Sequence, residues 1–302
     1  MKKVLVTGAT GFVGRWTLNK LIEKGYEVYA ISSKKHKNNS KFIYWHICDL
    51  LELSKIDKLF KEIKPTHLLH FAWYTEPAEY KNSNGNLSWV QSSIEIIKAF
   101  KKNGGKRAVI AGTCFEYDLE YGYLIENLTP SQPNTLYGIC KLGLQKILKD
   151  FSKKNDLSLA WGRIFYIYGP FENSARIIPY VINSLLDEKK ALCSHGNQIR
   201  DYLYIEDAAS AFVNLLDSKV EGIVNIGSGQ AYQLKEIFTL IEEKIGGKNM
   251  IELGKLETAL NEPHIILADI DRLNNEVRWK PQYDLSTGLD KTINWWRERR
   301  EV

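Results

Sequence analysis

Tyr137-Gly138-Ile139-Cys140-Lys141 sets a phenol and an ammonium four residues apart, and on a helix that spacing stacks them on one face. An ammonium beside a phenol favours the phenolate, so the tyrosine pKa is expected to fall toward working pH, which suits a proton donor to a forming alkoxide. A second set is Thr7-Gly8-Ala9-Thr10-Gly11-Phe12-Val13-Gly14, with glycines spaced three and three. Glycine at these points permits a tight turn, close approach of backbone to a pyrophosphate, and close packing of the following helix. The phosphates would face free N–H groups and the positive end of that helix. This predicts a dinucleotide site. At the end of the next strand, where an acid would hold an adenosine 2′-hydroxyl, the chain has Ser32-Ser33-Lys34-Lys35. With Arg15, this basic, hydroxyl-rich corner suits a 2′-phosphate and predicts NADP over NAD. The alternative is a lysine-rich surface loop running on through Lys37 and Lys41.

Short apolar runs must carry these residues. They fall at Val4 to Val6, Val28 to Ile31, Phe42 to Ile47, His67 to Ala72, Ala108 to Ala111 and Leu159 to Phe165. Stretches of helical period separate them: Leu18, Leu21 and Ile22; Ile56, Leu59, Phe60 and Ile63; Val90, Ile94 and Ile97. The alternation predicts a parallel sheet covered by helices on both faces. Residues 1–165 read as a dinucleotide-binding domain and 166–302 mainly as a smaller substrate-binding lobe, with a return to the sheet near 200–230 through Ile223 to Ile226. Trp279, Trp295 and Trp296 belong to a terminal helical cap, and Arg297 to Arg300 to a solvated helix end.

At 302 residues, 44% hydrophobic and 25% charged, the composition excludes collagen-like, coiled-coil and disordered classes. Forty-one Lys and Arg against 36 Asp and Glu give a net charge of +5, spread along the chain, which argues against a nucleic-acid partner. No apolar stretch reaches the roughly 20 residues of a membrane span. The four cysteines are scattered and no signal peptide is evident, so a reducing cytoplasm is the expected compartment. His67 and His70, three apart on a strand, point to opposite faces, and no metal site is expected.

The order of these motifs resembles the extended short-chain dehydrogenase/reductase family, whose members mostly act on nucleotide-linked sugars. The resemblance runs through the glycine loop, Asp49-Leu50, His70-Phe71-Ala72, Thr113 four residues before Tyr117, Tyr137 to Lys141, Arg163 to Pro170, Arg200-Asp201-Tyr202, Asn225 to Gly229 and Trp279-Lys280-Pro281. It implies a Rossmann-type, doubly wound α/β fold. It implies that Thr113 holds the substrate oxygen, Tyr137 is the acid/base, and Lys141 also binds the nicotinamide ribose. Asp49 and Leu50 would flank the adenine, Phe71, Ala72, Trp73 and Phe165 would line the cofactor groove, and Arg200 would meet the substrate diphosphate. A homodimer through the Val90 to Phe100 and Tyr137 to Leu148 helices is also implied.

Departures narrow the reaction. Dehydratases of the family follow the hydroxyl residue with Asp and Glu, where this chain has Cys114 and Phe115. Cys114, pointing to the other side if the segment is extended, reads as a packed thiol. Tyr166 stands where relatives have an Asn that contacts the sugar nucleotide, and Asn261-Glu262-Pro263-His264 replaces a segment that carries a diphosphate arginine. Arg176 could restore that charge or form a surface pair; Arg200 could instead pair with Asp201. Trp73 beside the nicotinamide would wall the sugar pocket or simply pack. The expected activity is NADP-dependent reduction of a nucleotide-linked 4-keto-6-deoxy sugar at C4. The alternatives are an NAD-dependent nucleotide-sugar 4-epimerase and a non-catalytic dinucleotide sensor.

Overall fold

Alternation within single strands decides which side of the sheet each residue serves. In β1 (Lys3–Thr7), Val4 and Val6 pack to one face and Leu5 to the other. The structure, a computed structural model, describes residues 2–36, 40–258 and 261–300. After β1 come α1 (Gly14–Glu23), β2 (Glu27–Ser32), β3 (Ile43–Ile47), α2 (Leu53–Ile63), β4 (His67–His70), α3 (Gly85–Lys102) and β5 (Arg107–Thr113). Two 3₁₀ turns, Cys114–Glu116 and Leu119–Tyr121, lead to β6 (Tyr123–Leu124), α4 (Leu136–Lys154), β7 (Ser158–Ile164), β8 (Tyr166–Tyr168), α5 (Ile177–Leu186), β9 (Ala191–Leu192) and β10 (Ile199–Arg200). The remainder is β11 (Tyr202–Tyr204), α6 (Ile205–Asp217), β12 (Gly222–Ile226), β13 (Tyr232–Gln233), α7 (Leu234–Ile245), β14 (Ile251–Glu252), β15 (Ile265–Ala268) and α8 (Leu285–Glu298).

Seven of these strands form one parallel sheet in the order β3-β2-β1-β4-β5-β7-β12. This is a Rossmann-like doubly wound sheet, with α1 and α6 packed on one face and α2, α3 and α4 on the other. The strand order reverses between β1 and β4, and the crevice beyond their carboxyl ends is where such sheets take ligands. A second, four-stranded sheet (β13-β10-β15-β6) and the pair β8–β11 stand above the ends of β5 and β7.

β4 ends two residues earlier than its apolar run suggests, because the Phe71 and Ala72 amides turn to donate to the Thr7 hydroxyl oxygen (3.1 and 3.2 Å). The apolar face read for α3 packs inward and is wider than its period suggests. Ser92, Ser93, Ile96, Ile97 and Phe100 face the sheet, while Val90 and Ile94 are half-buried. Two serines enter the core because each has a partner there: Ser92 donates to the Leu50 carbonyl (2.6 Å) and Ser93 meets His70 (2.8 Å). Among the described residues no helix is long and apolar enough to cross a membrane, and all four cysteines are free and buried.

Candidate active site

The glycine loop follows β1. Gly8 has φ +63°, and a Cβ there would lie 2.8 Å from the Ala72 nitrogen, so β1 and the turn after β4 approach within backbone contact. A Cβ on Gly14 would sit 2.2 Å from the Gly8 carbonyl oxygen. No side chain caps the N-terminus of α1 and its first turn holds no acid, which leaves that end suited to an anion. These features fit a dinucleotide pyrophosphate laid across Gly8, Thr10, Gly11, Phe12, Val13 and Gly14.

His70 fixes the other wall. Its Nδ1 lies 2.7 Å from the Thr7 hydroxyl and its Nε2 2.8 Å from Ser93. Thr7 already accepts two amides, so its proton goes to Nδ1 and the ring N–H sits on Nε2. Burial, with nearby Lys141, holds His70 down at about 3. The folded protein therefore keeps it neutral, while an unfolded chain protonates it below about 6.5. Stability is present above that value and is lost as pH falls toward 3, by on the order of a few kcal/mol. Urea unfolding across this window should show a shallower pH slope for His70→Asn than for the wild type; equal slopes would refute the assignment. His67 turns the other way, to Thr66 and Tyr26.

At the end of β5, Thr113 caps the 3₁₀ turn that follows it. Tyr137 and Lys141 lie one turn apart near the start of α4, and Thr113 is close enough to the Tyr137 phenol to ease its ionisation. Lys141 donates to the Ala111 carbonyl (2.8 Å) and rests 3.7 Å from the Trp73 ring centroid. The three residues converge, but the expected pKa effect does not appear. Burial pushes the Tyr137 phenol well above its usual range, with Tyr80 adding to the rise and Thr113 opposing it. Burial also brings Lys141 down to about 7, against the pull of Glu116. Desolvation outweighs the cation, whose ammonium stands over Trp73 and 6.0 Å from the Tyr137 ring centroid.

The sequence matches the NAD dependent epimerase/dehydratase family over residues 4–227. The chain belongs to that family. A UDP-glucose 4-epimerase of Rhizobium meliloti is 25% identical over 99% of this chain and 98% of its own length. A CDP-abequose synthase of Salmonella typhimurium is 25% identical over 96% and 97%. Among solved structures, the UDP-glucose 4-epimerase of Thermotoga maritima with UDP-glucose superposes with a TM-score of 0.87 at 21% identity, covering 99% of each chain.

In this epimerase/dehydratase-family chain, a set that the motif reading missed stands behind Thr113. Glu116 is fully buried, and its carboxylate accepts from the Thr113 amide (2.9 Å), Trp161 Nε1 (2.9 and 3.1 Å) and Arg163 Nε (2.8 Å). Its signal was present as a Thr-x-x-Glu capping box. Tyr80 was also missed. Its ring meets that of Tyr137 edge-on at 5.0 Å, and the Arg176 guanidinium lies 5.2 Å above it.

Other residues fall in distinct places. Trp73 packs directly on Lys141, and its Nε1 donates to buried Asn86 (2.8 Å). Phe71 meets Phe212 of α6 edge-on, Ala72 is buried, and Phe165 joins a small core with Cys114, Tyr117 and Leu124. Cys114 begins a 3₁₀ turn rather than an extended segment, and burial pushes its thiol up to about 12; a substrate contact for it has no support in this packing. Phe115 is half-buried, edge-on to Tyr166 and beneath Lys81. Arg176 reaches toward the Thr75 carbonyl (3.4 Å) rather than a surface carboxylate.

Arg200 pairs with Glu262, not Asp201, which instead accepts from Ser228, Gly229 and Ala268. Asp49 is exposed and caps the Leu51 amide, while Leu50 is buried. Ser32, Ser33 and Lys34 lie at the carboxyl end of β2, the last two exposed, and the Ser32 hydroxyl accepts from the Lys34 amide (3.2 Å). Arg15 does not point into that corner. It donates to the Thr10 and Gly11 carbonyls and stacks 4.1 Å from the Phe171 ring centroid. Lys37 lies outside the described residues.

Proposed function

We propose that this protein reduces a nucleotide-linked 4-keto-6-deoxy sugar at C4, with NADP as the preferred cofactor. The observation that carries the reading is the convergence of Thr113, the buried Tyr137 phenol and buried Lys141 at the carboxyl edge of the sheet. Relatives named as UDP-glucose 4-epimerases and CDP-abequose synthase support a nucleotide-sugar substrate. Cys114 and Phe115, in place of two acids, argue against elimination chemistry.

When bound, the nicotinamide supplies the hydride. Thr113 holds the substrate carbonyl oxygen, and Tyr137 gives its proton to that oxygen as it becomes an alkoxide. The high pKa of Tyr137 keeps it protonated until charge develops. Lys141 supports the cofactor ribose. Trp73 shields that ammonium from water and walls the sugar pocket. Tyr166, Phe115, Arg176 and Arg200, with much of 166–302, form the sugar-nucleotide side. The exposed apolar residues Leu87, Ile139 and Ile147 on α3 and α4 fit a homodimer contact there.

A 4-epimerase that retains NAD and returns the hydride is the second reading, favoured by the relatives of that name. Released-nucleotide analysis of the purified protein, followed by titration with NADPH and NADH, separates the two. The reductase should arrive empty and bind NADPH at least about tenfold tighter, some 1.4 kcal/mol. Tightly retained NAD would overturn it in favour of epimerisation.

A further inference from the structure

We propose that Glu262 is a carboxylate gate at the nucleotide end of the site, occupying Arg200 until a diphosphate displaces it. The inference rests on the functional reading above, in which Arg200 meets the substrate diphosphate. Backbone holds the Arg200 guanidinium from behind. Its Nη1 donates to the carbonyls of Ile199 (2.8 Å) and His264 (3.2 Å), and its Cζ lies 5.7 Å from the Tyr166 ring centroid. The position of the cation therefore does not depend on Glu262. Nη2 donates to the Glu262 carboxylate, and Arg200 is left only 2% exposed while the Glu262 side chain is 35% exposed.

Glu262 precedes β15 and belongs to no strand or helix, and among the described residues Arg200 is the one group its side chain bonds. An anion arriving from solvent thus meets a buried cation behind a carboxylate that water can receive. A diphosphate offers more charge and more acceptor oxygens to the same donors, so exchange favours it. Returning an exposed carboxylate to water costs little. An uncharged nucleoside has no such advantage, so the gate selects for the anionic part of the substrate.

Glu262→Gln keeps the size and removes the competing charge. Calorimetric titration of both proteins with UDP, CDP and dTDP should show that a diphosphate which binds the wild type binds the variant about fivefold tighter. Uridine and cytidine should show no gain. Glu262→Ala, which keeps neither the charge nor the length, should show the same gain, and adding Arg200→Lys should abolish it. Unchanged or weaker diphosphate binding by both Glu262 variants would overturn the gate and make Glu262 a brace for Arg200. If no nucleoside diphosphate binds any of the proteins, the nucleotide-sugar reading falls and the gate falls with it.

Discussion

Tyr137→Phe should lower turnover by about 10²- to 10⁴-fold and leave dinucleotide affinity at the wild-type level. The substitution removes one hydroxyl, the proposed proton donor, and keeps the ring that packs against Tyr80 and Trp73. Lys141, held by the Ala111 carbonyl and the Trp73 face, has no bond to that hydroxyl and should stay in place. Because the phenol stands well above its ordinary pKa, it enters the reaction protonated, and no other hydroxyl on α4 can replace it. Steady-state reduction assays with nucleotide-linked 4-keto sugars, run beside fluorescence titration with NADPH, read both quantities. Wild-type turnover in the variant would remove Tyr137 from the mechanism; lost cofactor binding would make its role structural.

Glu116→Ala should cost roughly 3–5 kcal/mol of stability, a large share of what a domain possesses. The carboxylate and the Arg163 guanidinium are both fully buried, at 0% and 1% side-chain exposure. Truncating Glu116 removes that cation's carboxylate, leaving it only Ser131 and the Tyr117 ring, and also leaves Trp161 Nε1 and the Thr113 amide without their acceptor. Gly112 leaves the set no slack, since a Cβ there would stand 2.0 Å from Trp161 Nε1. Denaturant unfolding measures the loss, and a change below about 1 kcal/mol would show that the pair contributes little net stability. Glu116→Gln, which keeps an acceptor for the Thr113 amide, should retain more activity among folded molecules than Glu116→Ala does.

Burial, rather than motif, explains where sequence reading and structure part. The phenol and ammonium at positions 137 and 141 were legible from helical spacing, yet the direction of the Tyr137 shift came out opposite. Spacing reports who is adjacent; it does not report that the loop carrying Tyr80 covers both groups and removes water. The face of α3 was legible but incomplete. Apolar period gave Val90, Ile94 and Ile97, which pack against the core, and Ser92 and Ser93 also turn inward because the Leu50 carbonyl and His70 offer partners.

The local pattern carried the parallel sheet, the glycine loop and the helix that presents Tyr137 and Lys141. Each depends on a short-range rule: alternation along a strand, recurrence along a helix, or glycine where backbone must approach backbone. Pairings between charges were a matter of folding. Glu116 finds Arg163 across 47 residues and Arg200 finds Glu262 across 62, each pair joining elements far apart in the chain. A carboxylate's partner depends on which cation shares its dry volume, and that volume exists only once distant strands have packed.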